Sequence, residues 1–463
     1  MKKVLSVASE CAPLVKTGGL ADVAGALPAA LRPHGWEMRT LLPGYPTVLK
    51  AARRWKVHKR PFALHGGKAR VLEGRTEGLD LFVLDAPHLF DRPGGPYLDA
   101  DGRDHADNPV RFAALSQAAC LVAQSWGADV LHAHDWQAGL APVYVREAGL
   151  SCGTVMTIHN IAFQGMAPRA MRPLLALPES GMSREGYEFW DQISSLKAGM
   201  VWADRVTTVS PTYARELRRA EFGFGLDGMV RARGADFSGI LNGIDTNAWP
   251  GIALASKPAA RAALLRELGL PEADGPLAVI VTRMTHQKGL DLLLDALPAF
   301  TDRGGRLALL GSGDPSLENA WRARAAEHPH VSVTIGYDEE LARRMIAAGD
   351  LILVPSRFEP CGLTQLYGLR YGTLPLVALT GGLADTVIPT TPAAMQANGG
   401  KGASTGFQFF PVEADPLAQS LMEAVERFRD RDAWTAMQGN AQAQDVSWDR
   451  SARRYADLYE AIS

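Results

Sequence analysis

The sequence is poor in the features that mark several protein classes. Four cysteines occur in 463 residues, Cys11, Cys120, Cys152 and Cys361, and no two form a C-x-x-C pair. That spacing argues against a disulfide framework and against a zinc site, and it suits a reducing compartment. No long apolar run is present. The uncharged stretch 112–127 contains Gln, Ser and Trp and is too short to cross a bilayer. Lys2 and Lys3 precede a short apolar segment, but Glu10 interrupts it before the core of a signal peptide is reached. Blocks of like charge are also missing. The formal net charge is −2 with Lys and Arg spread along the chain, which offers neither a nucleic-acid track nor a membrane-surface patch. These absences predict a cytoplasmic protein acting on a small or neutral substrate, with no nucleic-acid or membrane partner.

What is present is enough apolar material for more than one core. With 47% hydrophobic residues over this length, the chain is expected to divide into two or three lobes. Short runs rich in Val, Ile and Leu alternate with longer amphipathic stretches, the pattern of βα units around a parallel sheet buried on both faces. Strands are predicted at 4–9, 38–42, 79–85, 130–134, 154–159 and 205–210. The pattern restarts at 277–282, 306–310, 331–335, 351–355 and 374–379. Between them, 242–258 carries Asn-Gly, two prolines and no period, placing a boundary near residue 245. The expectation is an α/β protein with two Rossmann-like doubly wound lobes, 1–245 and 246–440. An amphipathic C-terminal helix within 441–463 is free to pack back on the first lobe.

One hexapeptide occurs twice. Thr17-Gly18-Gly19-Leu20-Ala21-Asp22 recurs as 380–385, each time after a strand and before a helical pattern, which reads as like chemistry at two helix N-termini. Lys16 stands just before the first copy, where glycines let a backbone approach a phosphate or a sugar hydroxyl. For one glycine pair taken alone, a plain tight turn with a solvated lysine is the favoured reading. Arg283 and Lys288 follow the strand at 277–282, at the carboxyl edge where α/β sheets bind ligands, although a pair of surface cations capping a loop reads the same way. The segment Glu359-Pro360-Cys361-Gly362-Leu363-Thr364 opens a helix whose N–H groups suit a pyrophosphate, although a glutamate there is also a routine cap. His132 and His134 share one strand face, yet no further Asp or Glu completes a tetrahedral set, so hydrogen bonding is expected rather than a metal. Asp99-Ala100-Asp101-Gly102 has D-x-D form but lacks the remaining ligands of a calcium loop and reads as solvated. Gly311-Ser312-Gly313 has Ser316 where a dinucleotide fingerprint needs its third glycine.

Taken in order, Lys16 to Val23, His132-Ala133-His134-Asp135-Trp136, Thr157-Ile158-His159-Asn160, Val209 to Tyr213, Leu241-Asn242-Gly243-Ile244-Asp245, Gln287 to Asp291 and Ser356 to Gln365 resemble the bacterial glycogen (starch) synthases of glycosyltransferase family 5. The resemblance runs from residue 1 to the terminal helix. It implies a GT-B fold, with its active site in the cleft between two lobes. It also implies retaining, cofactor-free and metal-independent transfer of glucose from ADP-glucose to the non-reducing end of an α-1,4-glucan such as glycogen. By that resemblance Lys16 lies by the donor phosphate and glucose with Gly18 and Gly19, Arg283 and Lys288 neutralise the pyrophosphate, and Cys361, Gly362, Leu363 and Thr364 bind it through the backbone. Tyr337 stacks on adenine, and Glu359, His159 and Asn242 hold the donor glucose, with the His159 carbonyl near the anomeric carbon. Asp107 contacts the acceptor. The sequence departs at Leu379, where the family commonly has Arg. The rivals are a UDP-glucose-using enzyme, a glucan-binding homologue without catalysis and an NAD-dependent Rossmann enzyme. The broken glycine fingerprint weighs against the last, and Lys16, Arg283, Lys288 and Glu359 together weigh against an inactive homologue.

Overall fold

The computed structural model describes residues 1–51, 54–400 and 402–463. The chain forms two compact units, Met1–Asn242 with Trp448–Ser463, and Gly243–Ser447. Residues 243–245 thus belong to the second unit, and so do 441–447, which the sequence reading grouped with the terminal helix.

The first unit is built on a nine-stranded sheet. From edge to edge its strands are Phe237–Gly239, Arg205–Thr208, Gly153–Ile158, Val130–His134, Lys2–Val7, Trp36–Pro43, Leu79–Asp85, Gly67–Thr76 and Lys56–Leu64. Every pair is parallel except the last two, which are antiparallel. The central strand is mostly apolar in its buried part because both faces are covered, with Val4, Leu5 and Val7 fully buried and Ser6 the one polar residue among them. The helix Gly19–Leu31 follows it and buries Leu20, Val23, Leu27 and Leu31, one stripe at helical spacing. The terminal helix Asp449–Glu460 buries Ala452, Tyr455, Ala456 and Tyr459 into the same core, where the Tyr459 and Trp36 rings meet edge to face at 5.4 Å.

The second unit carries a six-stranded, all-parallel sheet in the order Val331–Ile335, Arg306–Gly311, Leu277–Val281, Leu351–Val354, Leu374–Ala378, Phe407–Phe409. Successive residues of one strand feed two different cores. Ala278 and Ile280 pack with the helices Leu290–Thr301 and Ala414–Arg429, while Leu277 and Val279 pack with Lys257–Leu268 and Glu339–Ala348. This is the period-two projection of a strand covered on both faces. Each buried Leu, Ile or Val side chain in these cores contributes roughly 1.5–3 kcal/mol before entropy is subtracted.

All eleven predicted strands are present. Unpredicted are the hairpin 56–76, the short edge strands Phe237–Gly239 and Phe407–Phe409, and a small antiparallel sheet of Met166–Pro168, Gln192–Ser194 and Glu188–Phe189. No helix among the described residues is long and apolar enough to cross a membrane.

Candidate functional site

Each sheet has a switch point, where neighbouring parallel strands send the chain in opposite directions and leave a crevice at their carboxyl ends. In the first unit it falls between Lys2–Val7 and Val130–His134. In the second it falls between Leu277–Val281 and Leu351–Val354. Most of the predicted site residues lie on the segments that leave these strands.

In the first unit Glu10 organises the edge. Its buried carboxylate accepts the Thr17 hydroxyl at 2.6 Å, the Gly18 N–H at 3.2 Å, the Thr17 N–H and the Tyr97 phenol. A carboxylate with four donors fixes the turn that carries Lys16. The Lys16 ammonium is half-exposed and pairs with Asp22 at 2.7 Å. Gly18 has an extended backbone, φ −157°, and a Cβ added there would meet nothing within 4 Å. Tyr97 also meets the Ser9 hydroxyl at 2.7 Å, and burial next to Glu10 pushes its phenol far above the usual range.

The histidines form a second cluster at the same switch point. His132 bonds Tyr459 at 2.7 Å and Thr157 at 2.6 Å, and its ring lies 4.1 Å from that of His134. One nitrogen of His134 meets His159 at 3.0 Å, while its Nε2 has no partner among the described residues. Burial holds all three neutral, pushing His134 down to about 3 and the other two well below the ordinary value. These are hydrogen-bonding histidines. Among the described residues no three His, Cys, Asp or Glu side chains gather as a metal-binding group. Asp135, in the left-handed region at φ +53°, accepts the N–H of His159 at 2.6 Å and of Asn160 at 3.4 Å. Burial pushes its carboxyl up to about 7, against the pull of those two N–H groups and with added repulsion from Glu10. Asp107 is gripped by Arg92 at 2.7 and 2.9 Å. Burial alone would raise it, but the Arg92 hydrogen bond and charge hold it below the usual carboxylate range. The buried Asn242 Oδ1 has no partner among the described residues.

In the second unit Lys288 and Glu359, 71 residues apart in sequence, meet at 2.5 Å with both side chains mostly covered. The Ser356 hydroxyl reaches the same Glu359 oxygen at 2.9 Å. Two further links join these segments: the Gln287 amide to the Phe358 carbonyl at 3.1 Å, and the Arg357 N–H to the Gln287 carbonyl at 2.9 Å. Arg357 itself is bidentate to Asp291, at 2.7 and 2.6 Å. Arg283 is exposed, and its guanidinium has no partner among the described residues. Past Glu359 the chain turns through Gly362 at φ +73° into the helix Thr364–Tyr371. Gln365 holds that turn by donating to the Cys361 and Gly362 carbonyls, each at 3.0 Å. Tyr337 follows the strand Val331–Ile335 and is 83% exposed, presenting its ring to solvent.

One reading of the sequence changes here, and two others hold. The second hexapeptide is a packing surface beneath the Glu359 turn. A Cβ on Gly381 would sit 1.8 Å from the Glu359 carbonyl oxygen and one on Gly382 2.2 Å from that of Cys361, so its glycines are required by close backbone approach rather than by a ligand. Gly311 and Gly313 similarly crowd the backbone at Thr282 and Met284, which explains them without a dinucleotide. Asp99 spends its carboxylate on the N–H groups of Asp101 and Arg103, a local turn. Sequence reasoning missed Glu10, Tyr97, Ser356 and Gln365 as site builders. Glu10 had a signal, a lone carboxylate directly after a buried strand, and was read only as a break in an apolar stretch.

Comparison with known proteins identifies the family. Residues 3–232 match the starch synthase catalytic domain family, and 275–426 match the glycosyl transferases group 1 family. The chain is 58% identical over 470 residues to a glycogen synthase of Paracoccus denitrificans (strain Pd 1222), covering 100% of both chains. It is 54% identical over 478 residues to that of Jannaschia sp. (strain CCS1), again covering 100% of both. Among solved structures, the catalytic domain of starch synthase IV from Arabidopsis thaliana, bound to ADP and acarbose, superposes with a TM-score of 0.89 at 30% identity, covering 100% of this chain and 99% of that one. With two Rossmann-like units, a GT-B likeness across its whole length and relatives aligned from end to end, the chain belongs to the glycogen synthase family of glycosyltransferases.

Proposed function

We propose that this enzyme transfers glucose from ADP-glucose to the non-reducing end of an α-1,4-glucan, with retention of configuration. The observation that carries the reading is the Lys288–Glu359 pair together with Arg283, exposed and without a guanidinium partner among the described residues, all on segments that leave the carboxyl end of the second sheet. The solved relative that holds ADP and acarbose, one a nucleoside diphosphate and the other an oligosaccharide, supports both substrate classes.

Cleaving the glucosyl bond builds positive charge on the sugar and negative charge on the departing diphosphate. Arg283, Lys288 and the N–H groups that begin the helix Thr364–Tyr371 offset the negative side. Glu359 accepts hydrogen bonds from sugar hydroxyls, and the His159 carbonyl faces the anomeric carbon. Lys16 supplies a further cation to the phosphate, and Asn242, with a buried oxygen awaiting a donor, binds the glucose. Asp107 contacts the acceptor and Tyr337 stacks on adenine. In front-face transfer the leaving phosphate takes the proton of the incoming hydroxyl, so configuration is retained without a carboxylate nucleophile. Transfer proceeds in the cytoplasm without a metal or a cofactor. Leu379, exposed where the family commonly has Arg, leaves one cation fewer near the donor.

The test is nucleotide release from ADP-glucose or UDP-glucose in the presence of glycogen and EDTA. ADP-glucose is expected to be strongly preferred and turnover to survive chelation. Equal or better use of UDP-glucose would overturn the donor assignment. Loss of activity restored by Mg²⁺ or Mn²⁺ would overturn the metal-free mechanism.

A further inference from the structure

The Glu359 carboxylate is held asymmetrically. Lys288 Nζ at 2.5 Å and Ser356 Oγ at 2.9 Å both approach Oε2. Ser356 is fully buried just past the strand Leu351–Val354, two residues beyond its last member, and among the described residues its hydroxyl bonds Glu359 alone. Two donors on one oxygen set the plane of the carboxylate and leave Oε1 as the acceptor for a ligand.

The two donors differ in what happens when a diphosphate arrives. Lys288 is a cation that a diphosphate competes for, and a lysine is a flexible point charge that can be shared or redirected. Ser356 is neutral, short and held in the core, so a diphosphate does not attract it. We infer that Ser356 is a positioning residue for the transfer reaction, keeping Glu359 aimed at the donor sugar while Lys288 turns its charge to the diphosphate. This rests on the proposed role of Glu359 in holding the sugar, and it adds a residue to which no role in the reaction has so far been given.

The role separates sugar from nucleotide. Ser356→Ala should lower kcat for glucosyl transfer roughly 10- to 100-fold, the range for losing one hydrogen bond to a charged group. It should leave ADP affinity by calorimetry and the melting temperature close to those of the parent. Ser356→Cys, similar in size with a weak donor, should fall between. The decisive readout is a double-mutant cycle with Glu359→Gln. If Ser356 acts through Glu359, adding Ser356→Ala to Glu359→Gln should cost little more than Glu359→Gln alone. Full additivity, or a Ser356→Ala variant as active as the parent, would overturn the inference and leave the role of Glu359 standing. A Glu359→Gln enzyme with undiminished transfer would instead remove the reading on which the inference rests.

Discussion

The two copies of Thr-Gly-Gly-Leu-Ala-Asp have the same sequence and opposite surroundings. At 17–22 the first glycine is open, the backbone is extended, and the turn is held from below by Glu10. At 380–385 both glycines lie against the backbone of 359–361, and Gly381 has φ +45°. The first copy presents a helix N-terminus beside Lys16. The second forms the floor under the turn from which Glu359 projects. A repeated motif therefore need not mean repeated chemistry, because what a glycine permits depends on what approaches it. Individual carboxylates are also held in different ways. Glu10 and Asp135 are held by backbone N–H groups and hydroxyls, whereas Glu359 and Asp291 are held by Lys288 and Arg357.

Gly381→Ala or Gly382→Ala should break the second copy most severely. A Cβ inside 2.2 Å of a carbonyl oxygen forces the Glu359 turn to move, costing about 2–4 kcal/mol, with strain at φ +45° adding to it for Gly381. Thermal melting should show a drop of several degrees and transfer activity should fall with it. A parent-like melting curve would mean that the turn is looser than the close approach implies.

A smaller effect tests how the first unit holds its carboxylates. Burial raises the Asp135 carboxyl to about 7 from an unfolded value near 3.8. Between those values the native state binds more protons than the unfolded one, so this group's contribution falls as pH rises from about 4 to 7 and reaches its full penalty above 7. Asp135→Asn keeps an acceptor for the His159 N–H and removes the titration. The melting temperature of the variant relative to the parent should therefore climb across that window, by roughly 1–4 kcal/mol in equivalent stability. A difference that stays flat with pH would place the carboxyl near its ordinary value. The smallest effect belongs to Gly18→Ala, where an added methyl meets nothing, and stability should change by less than about 1 kcal/mol.

Much of the fold was legible because parallel strands covered on both faces need continuous apolar runs, as in Leu277–Val281 and Leu351–Val354. The hairpin 56–76 was not. Its outer strand carries Lys56, Lys59, Arg60 and Pro61 on an edge open to solvent, so neither an apolar run nor clean alternation appears. The strand Phe407–Phe409 is too short to show a period. Within the site, Lys288 and Glu359 were legible as candidates, and the sheet topology brings them together. Ser356 and Gln365 were not, since a serine or glutamine beside a strand end carries no signal until its partner's position is known. Glu10 was visible but misread, because a carboxylate that ends an apolar stretch does not show that Thr17, Gly18 and the distant Tyr97 all donate to it.

The central claim divides the work between the units, the second holding nucleotide and the first acting on transfer. ADP affinity by calorimetry, measured beside kcat for Lys16→Ala and Arg283→Ala, tests it most directly. Lys16→Ala should retain much of the ADP affinity while kcat falls roughly 10²- to 10³-fold, the usual cost of removing one group aimed at developing charge. Arg283→Ala should weaken ADP binding and turnover together. Loss of ADP binding in Lys16→Ala, with Arg283→Ala binding as tightly as the parent, would contradict the account.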